Sequence, residues 1–149
     1  MKKALINEMN LRIPALSVNE GYARYAVSSF AAQLDPTLEE IADIRTIVSE
    51  AVTNAVIHGY RESKGDIFIS VKYYNDRTLR ISVRDRGCGI ADIEKATQPF
   101  YTGDPQGERG GMGFTIMSSF TDKMKIRSVL GKGTAVTLEK KLHNNVTGG

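Results

Sequence analysis

The stretch Ile44-Arg45-Thr46-Ile47-Val48-Ser49-Glu50-Ala51-Val52-Thr53-Asn54-Ala55-Val56-Ile57-His58 decides how this chain is read. Ile44, Val48, Ala51, Val52 and Ala55 recur at helical spacing, which predicts a helix with one buried face. Glu50 and Asn54 are four residues apart, so that helix stacks a carboxylate and an amide oxygen on one side, at the edge of the apolar stripe. Such a pair can serve a magnesium ion, which takes one or two protein oxygens and completes its octahedron with water and nucleotide phosphates. Asn supplies an uncharged oxygen while Glu stays available to accept a proton. Taken alone, Glu-x-x-x-Asn is more often a solvated polar edge.

Working outward, a second cluster, Asp85-Arg86-Gly87-Cys88-Gly89, follows the alternating run Leu79 to Arg84, whose apolar members face one side of a strand. Asp85 is expected where that strand ends. Gly87 and Gly89 let the backbone approach a flat ring, and the acceptor-only carboxylate of Asp85 suits the exocyclic amine of adenine. An ordinary strand-to-loop turn would use the same residue types. A third cluster, Arg109-Gly110-Gly111-Met112-Gly113, opens a helix in which Ile116, Met117 and Phe120 recur at helical spacing. Exposed amides at a helix N-terminus make an anion site, and Arg109 adds a charge able to reach a terminal phosphate. Neither a Walker A pattern nor Gly-x-Gly-x-x-Gly occurs. Each cluster is weak alone; their order, spacing and context agree on a purine nucleotide site.

At this point the chain resembles the GHKL family of ATPases and kinases. Glu50 to Ala55 looks like its N box, Asp85 to Gly89 its first glycine box and Gly111-Met112-Gly113 its second. Val48 to Ala55 with His58-Gly59-Tyr60, and Glu108 to Met117, are similar to the bacterial anti-sigma serine kinases of the sporulation type, a likeness running from about Glu8 to Lys140. The resemblance implies ATP and ADP as ligands with Mg2+, and a two-layer α/β sandwich with a mixed, mainly antiparallel sheet and helices on one face. It implies that Asp85 reads adenine with support from the Thr134 hydroxyl, and that Gly87, Gly89, Gly110, Gly111, Met112 and Gly113 cradle the nucleotide. Asn54 would hold magnesium, Glu50 would deprotonate a substrate serine, and Arg109 would stabilise charge on the transferred phosphoryl group.

The implied partners are a sigma factor of RNA polymerase, an anti-anti-sigma protein carrying the serine, and a second copy of the chain. Arg24 on the first helix matches an arginine used for partner contacts. A general-stress kinase of the same group, or an ATP-dependent switch without phosphoryl transfer, are the rival readings. The chain departs from the family pattern at Gly110, where a small hydroxyl residue is usual, and at Gly103-Asp104, where a threonine and a lysine are common.

Composition is compatible. The 149 residues, 41% hydrophobic and 25% charged, suit one domain, expected over 1–142, with 143–149 a frayed tail. No apolar run approaches the ~20 residues that span a bilayer. Met1-Lys2-Lys3 is basic, but Asn7, Glu8 and Asn10 come too early for a signal peptide, so a cytoplasmic protein without membrane contact is expected. Cys88 cannot pair internally and reads as a small spacer. The net charge is +3 and the 20 Lys and Arg are dispersed along the chain, so direct nucleic-acid binding is not expected.

The remaining elements follow from local pattern. Met9, Leu11 and Ile13 predict a first strand ended by Pro14, whose exposed edge favours pairing with a second copy. Ser17-Val18-Asn19-Glu20 predicts a capping box for a helix through Leu34, and Thr37-Leu38-Glu39-Glu40 a second one for the Glu50 helix. Ile67 to Tyr73 and Leu79 to Val83 predict a hairpin turning at Asn75-Asp76; Lys123 to Val129 and Thr134 to Leu138 predict another about Gly131-Lys132-Gly133. A short helix is expected near Ala91 to Ala96, and Thr97 to Arg109 reads as a lid. His58, on the nucleotide helix itself, is expected to be structural.

Overall fold

The computed structural model describes residues 3–61, 63–98 and 113–143. Five strands, β1 (Leu5–Pro14), β2 (Asp66–Tyr74), β3 (Thr78–Asp85), β4 (Lys123–Val129) and β5 (Gly133–Lys141), form one sheet in the order β1-β2-β3-β5-β4. All four ladders are antiparallel. The helices are α1 (Asn19–Ala31), α2 (Leu38–Asn54), α3 (Ile93–Ala96) and α4 (Gly113–Ser119).

Alternation along the strands decides which side is core. Ile67, Ile69 and Val71 of β2, Leu79, Ile81 and Val83 of β3, and Val136 and Leu138 of β5 are buried under the helices. Ala23, Val27 and Ala31 of α1, then Ile44, Ile47, Val48, Ala51 and Val52 of α2, supply the opposing layer. Small residues on α1 let α2 lie close against it, and Met117 of α4 closes the far side. Truncating Ile44 or Ile47, neither of which reaches solvent, would cost ~2–5 kcal/mol. The expected two-layer sandwich is the one found, but the sheet is antiparallel throughout the described residues rather than mixed, because each strand's neighbour is reached by a reversal of chain direction.

The capping box predicted for α2 forms in both halves: Thr37 Oγ1 accepts from the Glu40 N–H at 3.0 Å, and Glu40 Oε1 accepts from the Thr37 N–H at 2.9 Å. The one predicted for α1 does not form. Val18 at the N-cap already has helical φ and ψ, and no side chain caps the first turn. The Glu20 N–H that the Ser17 hydroxyl was expected to take donates instead to the Ser17 backbone carbonyl at 3.2 Å, and Asn19 donates its side-chain amide to the Pro14 carbonyl at 3.0 Å, so a tight backbone turn leads from β1 into the helix. β1 also begins earlier than expected, at Leu5, with a register irregularity before Asn7.

The β2–β3 turn falls where predicted and places Arg77 at φ 69, a left-handed conformation uncommon for a residue with a side chain. Its guanidinium donates to the carbonyls of Leu34 and of His143. Arg77 thereby ties the end of the 3-10 turn after α1 (Ala32–Leu34) and the segment after β5 to one corner of the sheet.

Candidate nucleotide-binding site

The C-terminal end of α2 carries the site. After Asn54 the helix widens into a single π-turn, Ala55–Gly59, in which the Tyr60 N–H reaches the Ala55 carbonyl at 3.0 Å. This turn sets Ala55, His58 and Gly59 along a cavity of about 650 Å3, a size suited to a nucleotide. Ala51 and Asn54 continue that wall; Val83, Asp85, Thr134 and Val136 of the central strands face it; Cys88 to Asp92, Lys95 and Leu130 form the rim.

Asp85 is the last residue of β3, opposite Thr134 of β5, and is only 7% exposed. Burial raises its pKa, and this outweighs the opposing effect of N–H groups from Gly87 and Thr134. The Gly87 N–H donates to Oδ1 at 2.9 Å, which fixes that oxygen. A carboxylate held in this way in an apolar wall is an acceptor for an N–H donor of a planar ring. Gly59 leaves it room: a Cβ there would stand 2.8 Å from the Asp85 carboxyl carbon.

The glycine loop after β3 is fastened on two sides. Toward α2, the Cys88 N–H donates to the Gly59 carbonyl at 2.8 Å, and a Cβ on Gly87 would lie 2.0 Å from that same carbonyl oxygen, so only glycine fits. Toward the β4–β5 turn, the Gly131 N–H donates to the Cys88 carbonyl at 2.7 Å, and Gly89 takes φ +76. Ser128 then links loop and sheet. Its Oγ accepts from the Ile90 N–H at 2.7 Å, donates to the Gly133 carbonyl at 3.0 Å and lies 2.9 Å from Thr134 Oγ1. The Thr134 hydroxyl is therefore engaged with Ser128 at the cavity wall.

Asn54 and Gly113 meet across the cavity: a Cβ on Gly113 would stand 2.9 Å from Asn54 Oδ1, so α4 begins directly against the Asn54 amide. Among the described residues no group of three or more His, Cys, Asp or Glu could hold a metal ion. The Asn54 oxygen nonetheless suits magnesium, which needs few protein ligands when phosphates and water complete its shell.

Glu50 departs from the expected geometry. It is 6% exposed and lines a separate recess with Arg24, Tyr25, Ala42, Arg45, Thr46 and Ser49, between α1 and α2, while Asn54 lines the nucleotide-sized cavity. Residues four apart differ by about 40° around a helix axis, enough here to send the two side chains to different openings. Arg24 and Arg45 both lie over the Tyr25 ring in that recess, at 5.4 and 5.5 Å from its centroid. Arg109, Gly110, Gly111, Met112 and the lid from Pro99 onward lie outside the described residues.

Three contributors have no role assigned from the sequence, although Gly59 and Tyr60 stand in a stretch that carries the family likeness. Gly59 matters through what a side chain would strike, and Ser128 through partners distant in the chain. Tyr60 is buried, accepts from the Arg86 N–H at 2.8 Å and donates to the Asp66 carbonyl. It thus braces the strand end that carries Asp85. No local periodicity marks any of these. His58 lines the cavity, and its carbonyl accepts from Cys88 Sγ at 3.2 Å, so the half-buried thiol packs as a spacer against the π-turn.

Comparison with known proteins agrees with this geometry. Residues 13–140 match the model of the histidine kinase-like ATPase domain. The chain is 52% identical over 137 residues to the anti-sigma F factor of Bacillus subtilis (strain 168), covering 91% of this chain and 93% of that protein. Against the anti-sigma F factor of Clostridium acetobutylicum it is 54% identical over 137 residues, covering 92% and 95%. Among solved structures, the RsbU and RsbW domains of Rv1364c from Mycobacterium tuberculosis align with TM-score 0.67 and 25% identity, over 92% of this chain and 33% of that one. The catalytic domain of histidine kinase ThkA aligns with TM-score 0.56 at 17% identity, over 92% and 97%, a likeness of fold.

Proposed function

Because the chain belongs to the histidine kinase-like ATPase family, within the group of anti-sigma F factors, we propose that it holds a sporulation sigma factor inactive and phosphorylates a serine of its anti-anti-sigma antagonist with Mg-ATP. What carries this reading is the convergence of Asn54, Asp85, Gly113 and Thr134 on one cavity, in a chain half identical to those factors.

In this reading Asp85 accepts the adenine amine, and the Gly87 N–H keeps its carboxylate oriented. Thr134 backs that contact from β5, while Gly87 and Gly89 admit the ring edge. Asn54 would hold magnesium, which supplies charge neutralisation on the phosphates. Gly110 to Gly113 and Arg109 would meet the terminal phosphates, and Arg109 would stabilise charge on the phosphoryl group as it moves. Glu50 takes the proton of the serine hydroxyl as its oxygen bonds to the γ-phosphorus and the bond to the ADP oxygen breaks. Arg24, which lines a recess between α1 and α2 together with Glu50, would be among the partner contacts. A homodimer acting in the cytoplasm completes the proposal. The outer edge of β1, unpaired among the described residues, and the exposed Leu5 and Ile6 support pairing there.

The test is transfer itself: purified chain, Mg-ATP labelled in the γ-phosphate and the antagonist, followed by phosphoserine mapping. Label on one antagonist serine is the expected result. Sigma binding that depends on ATP without any label on the antagonist would leave a non-catalytic switch. Preferential action on a general-stress antagonist would favour the RsbW-type reading, which the 25% identity to that structure supports less than the anti-sigma F likeness supports the first.

A further inference from the structure

The cations that are dispersed in the chain are gathered by the fold. The helices cover one face of the sheet; on the other, β4 presents Lys123, Lys125 and Arg127, all exposed, while Met124 and Ile126 turn to the core. On the central strands Arg80 and Arg84 point the same way, because Ile81 and Val83 are buried. Lys72 of β2 stands directly opposite Arg80 of β3, a like-charge pair that weakens the sheet rather than supporting it. Phe68 is flanked in register by Arg12 and Arg84, and with Arg86 three guanidiniums lie 4.7 to 5.4 Å from its centroid. Of these three, Arg12 alone has a carboxylate partner among the described residues, Asp66 at 2.7 Å.

We infer that this open sheet face, centred on Arg84 and Arg127, is a docking surface for an acidic polypeptide segment. Arg12, Arg84 and Arg86 stay exposed while laid on the ring, so their outward edges offer to a partner the forked donors that match carboxylates. Two observations favour a polypeptide over nucleic acid. The Phe68 ring is occupied by arginines and so gives no platform for base stacking. Asp66 and Glu139 also stand among the cations, where they would repel a continuous phosphate backbone but can pair with a partner of mixed charge. A second copy of the chain is a poor occupant, since stacking two such faces sets like charges against each other.

The probes are a short labelled oligoglutamate and a single-stranded oligonucleotide of matched charge, titrated with the full chain at low and at physiological ionic strength. The wild type binds the oligoglutamate more tightly than the oligonucleotide, with affinity falling as salt rises. R84E combined with R127E weakens oligoglutamate binding by roughly tenfold or more, and R84S combined with R127S by less. ATP affinity and thermal midpoint of the same variants, which should match wild type, report the fold and the nucleotide site separately. Tighter binding of the oligonucleotide, no binding of the oligoglutamate, or equal binding by the two folded variants overturns the inference. So does a change of sedimentation coefficient in those variants, which would show that a second copy covers the face.

Discussion

The two ends of α2 are built on opposite terms. At its N-terminus the capping groups are answered inside the fold: Thr37 and Glu40 close the capping box, and Glu40 also accepts from the backbone N–H of His143 at 2.8 Å and lies 2.7 Å from its imidazole. At its C-terminus no side chain caps the helix, the ladder widens, and Asn54 and His58 line open space beside a buried Asp85. One end is arranged for stability and the other for a ligand, on a single rigid rod. The lesson is that the ligand end is stable only because the rest of the rod is, so substitutions at the two ends should separate cleanly into changes of function and changes of folding.

The largest separation is expected at Glu50. Glu50→Ala should cut phosphorylation of the serine substrate by roughly 10²-fold or more with ATP affinity largely kept, because a general base acts mainly in the transition state. Single-turnover transfer and equilibrium ATP titration measure the two quantities. Undiminished transfer would remove Glu50 from the chemistry and leave it as a wall of the recess.

Next comes Asp85→Asn, which should lower ATP and ADP affinity by ~1–3 kcal/mol through loss of an ionised acceptor. The ligand-free protein should respond in the other direction. Burial raises the Asp85 pKa, so the ionised form costs stability in the folded state. Stability contributed by its protonation is present below the unfolded pKa and is lost as pH rises through the folded one. The apo variant should therefore match or exceed wild type in thermal midpoint at neutral pH, and that advantage should shrink as pH falls through the folded pKa. A variant less stable at neutral pH would show that the Gly87 and Thr134 N–H groups outweigh desolvation.

The smallest effect is expected at the capped end. Thr37→Ala should cost ~1 kcal/mol of unfolding free energy without altering nucleotide affinity per folded molecule. Burial raises the Glu40 pKa, but the N–H groups of Thr37 and His143 and the imidazole outweigh it, leaving the pKa lowered. The stability this provides is present above the unfolded pKa and lost as pH falls through the folded one. Denaturant titration across acidic pH checks both statements, and a change in ATP affinity from Thr37→Ala would break the separation between the ends.

What was legible in the chain tracks how local the cause is. The period of α2, the hairpins and the position of Asp85 at a strand end follow from neighbours within a few residues, and they were readable. The α1 cap is not legible locally because the way the chain leaves β1 puts Val18 already in helical conformation and gives the Glu20 N–H to the Ser17 backbone carbonyl rather than to its hydroxyl. Glu50 was assigned to the same opening as Asn54 because spacing along a helix gives a side but not which of two cavities that side meets. Gly59, Tyr60 and Ser128 act through atoms brought from other elements, so their roles are not written in local periodicity, even though Gly59 and Tyr60 belong to the stretch that carries the family likeness.

The strand order has a consequence for synthesis. β5 is inserted between β3 and β4, so Asp85 meets Thr134 only when the last strand enters the middle of the sheet. That pairing closes a long loop, the slow kind of contact in folding. A chain still emerging from the ribosome without β5 lacks one wall of the cavity, the Ser128–Thr134 link and the turn that holds the glycine loop. Competence to take up a nucleotide therefore waits on β5, and a bound nucleotide reports that β5 has joined the sheet.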